Sequence, residues 1–263
     1  MTYETIRVEI TNGVAWITLD RPNDANVLSL QMTKDLSAAS MSCATNPEVR
    51  AVVITGTGRF FCAGGDLGTF QSAGDEVAAV VLEMTMHLHA AVSRFARMDA
   101  PVIAAVNGVA AGGGFSLAIG CDLIYAADHA SFSSMYTAAG LSPDGSSSYF
   151  LGRAIGDRRA MEMFLTNRRL SAADALEWGL INAVLPTEEL HDTVRSVAEG
   201  FATGPTKAYG SVKALVRSSS TESLESQMEA ESQHIAKNAS GADGREGIDA
   251  FLNKRSADFK GQS

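Results

Sequence analysis

The sequence predicts an α/β fold, in which alternating strands and helices build a mostly parallel sheet and a helical C-terminal region follows. Apolar strand patterns alternate with helical patterns up to about residue 185, the order that right-handed crossovers between parallel strands produce. Beyond Pro186 only helical periodicity continues. The 263 residues suffice for one large domain with a sizeable core.

The chain opens with a predicted antiparallel hairpin. Residues 6–10 and 14–19 alternate apolar and polar side chains, and Asn12-Gly13 between them is a strong hairpin signal. A loop over residues 21–27 follows, and Ser29 is expected to cap a helix that runs to about Ala44.

Buried strands and a long helix are predicted in the middle of the chain, before the C-terminal helices. The strands are expected at residues 51–56, 101–106 and 122–127, and the long helix at about 75–97. Residues 58–66 are interpreted as a glycine-rich turn. The C-terminal helices are predicted at about 188–202, 205–217, 223–238 and 245–254.

The stretch from Ala104 to Asp122 passes from an apolar strand through a glycine triplet, residues 112–114, into an apolar helix. The glycines allow the backbone to approach a ligand closely, and the first N–H groups of the helix are left unpaired. This pattern favours an anion site, which suits a thioester enolate or a tetrahedral acyl intermediate at least as well as a phosphate.

The glycine turn of residues 58–66, the first along the chain, contains Gly65 and precedes the second turn, at Gly113, by about fifty residues. The two turns can therefore supply a pair of convergent backbone donors. Alternatively, each is a tight connection between a strand and a helix. A dinucleotide site is poorly supported, because no G-x-G-x-x-G motif opens a βαβ unit, and no P-loop lysine follows either turn.

Composition limits the class of partner. A net charge of −9 without a long basic run argues against a nucleic-acid or anionic-membrane binder and favours a small molecule. The 46% of hydrophobic residues indicates apolar surface for subunit contacts.

The three cysteines, Cys43, Cys62 and Cys121, are too widely spaced for a zinc pattern or a disulfide framework. We expect buried thiols in a reducing compartment. Since the N-terminus lacks a signal-peptide pattern and no apolar run reaches ~18 residues, a cytoplasmic location is expected.

Three segments together resemble the crotonase, or enoyl-CoA hydratase/isomerase, superfamily: residues 61–67, 105–114 and 161–180. The resemblance implies a crotonase-like spiral of ββα turns over residues 1–200. It also implies that a C-terminal helical region, residues 201–263, supports trimerisation and completes the CoA site. The implied partner is an acyl-CoA thioester whose carbonyl oxygen accepts hydrogen bonds from the Gly65 and Gly113 amides. A homotrimer or a dimer of trimers is implied, with no cofactor beyond the CoA moiety and no metal.

The hydratase branch of this superfamily uses two glutamates to activate water. The corresponding positions here are Ser116 and Tyr136. Neither hydroxyl replaces a carboxylate base near neutral pH, so classical two-glutamate hydration is disfavoured.

Asp144 is the carboxylate in the most suggestive position. It follows Pro143 at an expected helix start, so one interpretation is a helix N-cap. The other comes from the resemblance: isomerases related to those of phenylacetate breakdown carry a Leu-x-Pro-Asp segment here, whose aspartate moves a proton between C2 and C4. The leading hypothesis is therefore a Δ3/Δ2-enoyl-CoA or ring-epoxide-type isomerase with a single aspartate base.

A competing hypothesis places Asp144 as a nucleophile. In 4-chlorobenzoyl-CoA dehalogenases, an aspartate at this position attacks the aromatic ring and a histidine activates water; that histidine matches His89. Those enzymes carry a tryptophan where this chain has Tyr136, and His89 has an ordinary interpretation as a structural or partly exposed helix residue. A third hypothesis is a non-catalytic member that binds acyl-CoA.

The resemblance also suggests which residues border CoA. The candidates in the early loop and the first glycine turn are Asp24, Ala25, Ala63, Asp66 and Leu67, and those in the last helix are Phe251 and Lys254. Asp66 could instead hydrogen-bond nearby backbone N–H groups, and Lys254 could be an ordinary surface charge. The acyl pocket is expected along the helical region from about Gln71 to Met98, whose apolar residues could accept acyl groups of many shapes, including aromatic and branched ones.

Overall fold

The computed structural model describes residues 2–261 and contains two sheets surrounded by helices. The larger sheet has the strand order β1 (Ile6–Thr11), β2 (Val14–Leu19), β3 (Ala51–Gly56), β5 (Val102–Val106), β7 (Leu123–Ala127) and β10 (Ala183–Leu185). The smaller sheet has the order β4 (Phe60–Cys62), β6 (Val109–Ala111), β8 (Ser131–Ser133) and β9 (Leu170–Ser171).

Helices connect and cover the two sheets. Those of the first two thirds of the chain are α1 (Leu30–Thr45), α2 (Leu67–Ser72), α3 (Val77–Arg97), α4 (Gly112–Ile119), α5 (Ser147–Ile155), α6 (Asp157–Thr166) and α7 (Ala172–Glu177). Those that follow β10 are α8 (Leu190–Ala202), α9 (Thr206–Ser218), α10 (Leu224–Ser240) and α11 (Ala242–Leu252).

The chain alternates between the two sheets as it advances. Strands β3, β5 and β7 lie in the larger sheet, and each is followed by a short strand, β4, β6 or β8, in the smaller sheet. A helix comes after each such pair of strands, which produces a spiral of ββα turns. The predicted α/β fold is confirmed, and all neighbouring pairs except β1–β2 and β8–β9 are parallel.

The N-terminal elements form as the sequence predicts. Asn12 and Gly13 both have positive φ, 52° and 78°, which is the backbone that a two-residue turn with the twist of a hairpin requires. Ser29 caps α1, since its hydroxyl accepts a hydrogen bond of 3.2 Å from the Met32 amide.

One prediction about the first glycine turn is wrong. Residues 58–66 are not a turn throughout, because Phe60–Cys62 forms β4 and pairs with β6. A strand of three residues is too short to show the alternation of apolar and polar side chains that identifies a strand. Its sequence is therefore interpreted as part of the surrounding loop. The remaining residues still carry the chain from this strand into α2.

A partly buried charge cluster attaches the C-terminal helices to the larger sheet. The Asp122 carboxylate contacts Lys213 of α9 at 2.7 Å and Arg217 at 3.0 Å, and it also accepts a 2.8 Å bond from the Val102 amide of β5. Burial lowers the pKa of the Lys213 ammonium. Within residues 2–261, no helix is both long enough and apolar enough to cross a membrane.

Close packing of the first and second glycine turns gives a stability prediction. A Cβ atom on Gly114 would lie 2.6 Å from the Cys62 Sγ, and the Cys62 backbone leaves no room for it either. We expect Gly114→Ala to lower the free energy of unfolding by about 1–3 kcal/mol, the usual cost of overpacking. Urea denaturation measures this, with Gly200→Ala in α8 as the control, because nothing lies within 4 Å of its added Cβ. Equal stability of Gly114→Ala and the wild type would contradict the close contact.

Candidate active site

The two glycine turns meet at the C-terminal ends of β4 and β6. Gly64 has a φ of 110°, a conformation that side chains other than glycine rarely adopt. A Cβ atom on Gly64 would lie 3.1 Å from the Ala111 carbonyl oxygen and 3.5 Å from the Gly113 nitrogen. A Cβ atom on Gly113 would lie 3.9 Å from the Gly65 nitrogen. The turns therefore approach each other closely because both lack side chains.

Two backbone donors are left without an acceptor at this meeting point. Within residues 2–261, neither the Gly65 amide nor the Gly113 amide donates a hydrogen bond to the protein. Gly113 lies in the first turn of α4, where N–H groups have no partner inside the helix and the helix dipole is positive. Two such donors are able to stabilise a carbonyl oxygen that becomes negatively charged, as in an oxyanion hole.

Both glycines line a cavity of about 340 Å³. Its walls are mainly apolar and come from α2, α3 and the segment after β8, and the principal side chains are Phe70, Val81, Leu82, Met84, Leu88, Met135 and Leu141. The cavity borders α3, which lies within residues 71–98, where the acyl pocket is expected. Phe70, Met135 and Leu141 lie outside that range, so the sequence alone did not indicate them.

Asp144 is the only carboxylate among the described residues that line this cavity. Its Oδ1 accepts a hydrogen bond of 2.5 Å from the Tyr136 hydroxyl. The Tyr136 hydroxyl in turn lies 2.8 Å from the Ser116 hydroxyl, and Ser116 is completely buried. A hydrogen-bonded chain of Ser116, Tyr136 and Asp144 thus extends from α4 to the cavity.

The interpretation of Asp144 as a helix N-cap is wrong. Helix α5 begins at Ser147, its N-cap residue is Ser146, and the Asp144 carboxylate bonds to Tyr136 instead of to a helix amide. Only the backbone carbonyl oxygen of Asp144 contacts the start of the helix, where it accepts a hydrogen bond of 3.1 Å from the Ser147 amide. The carboxylate is therefore available to the cavity.

Tyr136 is nearly buried and retains its proton. Burial raises the pKa of the Tyr136 phenol far above its ordinary value, and the adjacent Asp144 charge raises it further. Sequence reasoning identified positions 116 and 136 only as places without glutamate. It missed the hydrogen bonds that connect these positions to Asp144. The one sign of them in the sequence is that a tyrosine lies eight residues before the aspartate.

The loop that carries Asp144 packs directly on α4. Gly145 has a φ of 58°, and a Cβ atom there would lie 2.9 Å from the Ser116 Cβ. On its other side, the Gly145 amide donates a hydrogen bond of 3.1 Å to His89 Nε2. Small residues at 116 and 145 therefore place Asp144 at the cavity wall.

His89 lies next to this loop but does not line the cavity. The side chain is exposed on α3 and faces a neighbouring cleft that Tyr149 and Arg217 also line. As an acceptor from the Gly145 amide, Nε2 of His89 carries no proton in this arrangement. The structure thus brings Gly65, Gly113 and Asp144 together and leaves His89 behind the loop.

The early loop is attached to the first glycine turn. The Ala63 amide donates to the Ala25 carbonyl at 3.1 Å, and the Leu28 amide donates to the Gly64 carbonyl at 2.7 Å. Asp24 is exposed and pairs with Arg21 at 2.9 Å. These contacts place residues 24–28 beside the cavity mouth.

Three of the residues predicted to contact CoA lie in the first glycine turn or directly after it. Ala63 and the half-exposed Leu67 line the cavity. Asp66 caps α2, because its Oδ1 accepts from the Thr69 amide at 3.1 Å, so the predicted bond to a nearby backbone N–H group is confirmed.

Phe251 and Lys254 lie at the end of α11 and do not reach the cavity within this chain. Phe251 is 84% exposed, and Lys254 is also exposed. Across the part of the chain that the structure describes, no cluster of three or more histidine, cysteine, aspartate or glutamate side chains could hold a metal ion.

Comparisons with known proteins agree with this geometry. The sequence model of the enoyl-CoA hydratase/isomerase family matches residues 9–262. A probable enoyl-CoA hydratase of Rhodobacter capsulatus is 38% identical over 100% of both chains. A 1,2-epoxyphenylacetyl-CoA isomerase of Escherichia coli is 37% identical over 98% of this chain and 99% of its own length.

Two further similarities cover most of the chain. The 4-chlorobenzoyl coenzyme A dehalogenase-2 of an Arthrobacter species is 37% identical over 88% of this chain and 84% of its own. The crystal structure of an enoyl-CoA hydratase from a Polaromonas species superimposes with a TM-score of 0.92 at 35% identity, covering 97% of this chain and 99% of that one.

Proposed function

The chain belongs to the enoyl-CoA hydratase/isomerase family, and from that premise we propose that it moves a double bond of an acyl-CoA thioester by proton transfer. The observation that carries the proposal is that Asp144 is the only carboxylate among the described residues lining the cavity that contains Gly65 and Gly113. Adding water in the classical way takes two carboxylates, whereas a double-bond shift takes one base that accepts a proton and returns it.

The proposed reaction consists of two proton transfers, and Asp144 takes part in both. The thioester carbonyl oxygen accepts hydrogen bonds from the Gly65 and Gly113 amides. Asp144 removes a proton from C2, and the electrons of the C–H bond move toward the thioester to form a dienolate. The electrons of the dienolate then move back along the acyl group. The double bond between C3 and C4 is replaced by one between C2 and C3, and C4 takes the proton from Asp144.

The two amides account for much of the expected rate. Charge builds on the carbonyl oxygen as the proton leaves, and one well-placed donor at such an oxygen contributes roughly 3–4 kcal/mol. The position of Gly113 at the start of α4 adds the favourable end of the helix dipole.

The acyl group in this proposal is aromatic or branched. The cavity walls from Phe70, Leu82 and Met135 are apolar and broad. The similarity to an enzyme named 1,2-epoxyphenylacetyl-CoA isomerase supports a ring-bearing acyl group and a ring-epoxide variant of the reaction.

CoA itself is proposed to lie along the early loop and the first glycine turn, near Asp24, Ala25, Ala63, Asp66 and Leu67. Because Phe251 and Lys254 do not reach the cavity of their own chain, they are proposed to meet the adenosine phosphate in a neighbouring subunit of a homotrimer or a dimer of trimers. Apolar side chains stand exposed on α10 and α11, which favours such an assembly: Leu224, Met228, Ile235, Ile248 and Leu252.

This CoA assignment makes a kinetic prediction. We expect Lys254→Ala to raise KM for CoA thioesters several-fold and to leave kcat nearly unchanged, because a phosphate contact far from the reacting carbons binds the ground state and the transition state alike. The control is Lys237→Ala on the exposed side of α10. If both variants have the wild-type KM, Lys254 is a surface charge and nothing more.

A second candidate function is the dehalogenation of 4-chlorobenzoyl-CoA, with Asp144 as nucleophile and His89 as base. The similarity to the Arthrobacter dehalogenase and the hydrogen bond between His89 and the Asp144 loop favour it. The absence of His89 from the residues that line the cavity, among those described, argues against it.

One set of assays separates these functions. The wild-type protein is mixed in turn with aliphatic and phenyl-substituted 3-enoyl-CoA thioesters and with 4-chlorobenzoyl-CoA. Formation of the 2-enoyl product without release of chloride supports isomerisation. Chloride release with an aryl ester trapped on Asp144 overturns it in favour of dehalogenation. Binding of every thioester without turnover indicates a non-catalytic acyl-CoA-binding protein.

A further inference from the structure

The Asp144 carboxylate presents two unequal oxygens. Oδ1 accepts the 2.5 Å hydrogen bond from Tyr136. Oδ2 has no hydrogen-bond partner within residues 2–261, and it does not belong to the buried polar atoms that lack one. One oxygen is therefore held by the protein, and the other is accessible from the cavity side.

The direction of the hydrogen bonds follows from the number of protons. The Tyr136 hydroxyl has a single proton and donates it to Asp144, so Ser116 is the donor in its 2.8 Å contact with the Tyr136 oxygen. The Gly112 carbonyl oxygen, 3.2 Å from the Ser116 hydroxyl, is the other acceptor for the same proton. Ser116 is completely buried on α4, which also provides Gly113. The helix that supplies an oxyanion donor thus also orients the base, through two hydroxyl groups.

The tyrosine is suited to remain the donor throughout a catalytic cycle. Burial and the nearby carboxylate raise the pKa of its phenol, so the hydroxyl keeps its proton. When Asp144 takes a proton on Oδ2, Oδ1 is still a carbonyl-type oxygen and still accepts from Tyr136. The hydrogen bond therefore persists in both protonation states of the carboxyl group.

Resting on the function proposed above, we propose that Tyr136, supported by Ser116, is a positioning residue that holds Oδ1 and directs Oδ2 of Asp144 toward the acyl carbons. Oδ2 is then the atom that removes the proton from C2 and returns it to C4. No other reactant is needed, because the proton that leaves C2 is the one that the carboxyl group carries. Tyr136 itself neither gains nor loses a proton in this cycle.

The test measures proton removal apart from isomerisation. Exchange of the C2 hydrogens of a saturated acyl-CoA with deuterium in D₂O, followed by NMR, reports the base step alone. We expect Tyr136→Phe to lower kcat for exchange about ten- to a hundredfold, as for loss of a hydrogen bond to a charged group, with an unchanged KM. Ser116→Ala is expected to lower it several-fold, and Tyr149→Phe on the nearby α5 is the control.

The pH profile is the measurement that a purely structural role would not change. A base must be ionised, so kcat/KM falls as the pH decreases. Because Tyr136 donates to the Asp144 carboxylate, loss of this hydrogen bond in Tyr136→Phe is expected to change the pH dependence of proton removal. His89 is the other titratable group that contacts this loop, so the comparison is repeated in a His89→Gln background.

Each outcome has a distinct meaning. A wild-type exchange rate and pH profile in Tyr136→Phe overturns the positioning role, even if the wild type isomerises enoyl-CoA. Slower exchange in Tyr136→Phe with no isomerisation by the wild type supports the positioning role and overturns the proposed function. If the wild type does neither, both fail. Circular dichroism monitors folding, and if Tyr136→Phe is unfolded, a wild-type rate in Ser116→Ala overturns the role.

Discussion

Replacing Gly65 with proline is expected to lower kcat for isomerisation about a hundred- to a thousandfold, the usual loss when one oxyanion-hole donor is removed. Proline has no amide proton, and its ring Cδ occupies the place of that proton, so the enolate oxygen loses the Gly65 donor and the space in front of it. The φ angle of Gly65 is not in the positive range that excludes proline, and the Gly65 amide has no partner within residues 2–261 that the substitution would deprive. The substitution is therefore expected to lower kcat and to leave the fold intact.

Gly65→Ala is the matched control, because it keeps the amide proton. Its added Cβ would lie 3.5 Å from the Phe70 ring, which is ordinary van der Waals contact. Steady-state kinetics and thermal denaturation of both variants separate the two effects. Similar kcat values for the proline and alanine variants would remove the Gly65 amide from the mechanism.

Asp144→Asn is expected to lower kcat by about 10²–10⁴, the range attributed to a positioned acid or base, with little change in KM. Asparagine has nearly the same shape, and its side-chain oxygen can still accept from Tyr136. The loop that packs on Ser116 should thus remain in place, and the variant loses only the ability to carry a proton.

The kinetic comparison for Asp144 uses the wild type and Asp75→Asn, an exposed aspartate before α3 that lies outside the cavity. Each protein is assayed with 3-enoyl-CoA and tested for thioester binding by calorimetry. Retained binding with lost turnover assigns the base to Asp144. Full turnover by Asp144→Asn would mean that proton transfer occurs elsewhere.

Much of the fold could be predicted because its signals are local. Asn12-Gly13 determines a hairpin turn, Ser29 caps α1, and the long apolar runs at 51–56 and 102–106 are recognisable as buried strands. The smaller sheet escaped pattern analysis, because its strands have only two or three residues and exist through pairing between distant segments.

The candidate site likewise has parts that could be predicted from the sequence and parts that could not. Gly65 and Gly113 could be predicted because each glycine turn follows a strand, and parallel strands end at a common edge. The bond between Tyr136 and Asp144 could not, because it depends on the path of the irregular loop between them. The positions of Phe251 and Lys254 relative to a second subunit depend on contacts that no local pattern encodes.

The close approach of Gly145 to Ser116 limits how this chain could change its chemistry. The Ser116 side chain is completely buried, and the loop backbone occupies the space into which a longer side chain would extend. A glutamate at position 116 would push the loop outward and carry Asp144 with it. Exchanging Ser116 and Tyr136 for a pair of glutamates would therefore displace the proposed base, Asp144, before the glutamate pair was in position. A route between the two chemistries requires a rebuilt loop over residues 140–146, and point substitutions on α4 alone do not provide it.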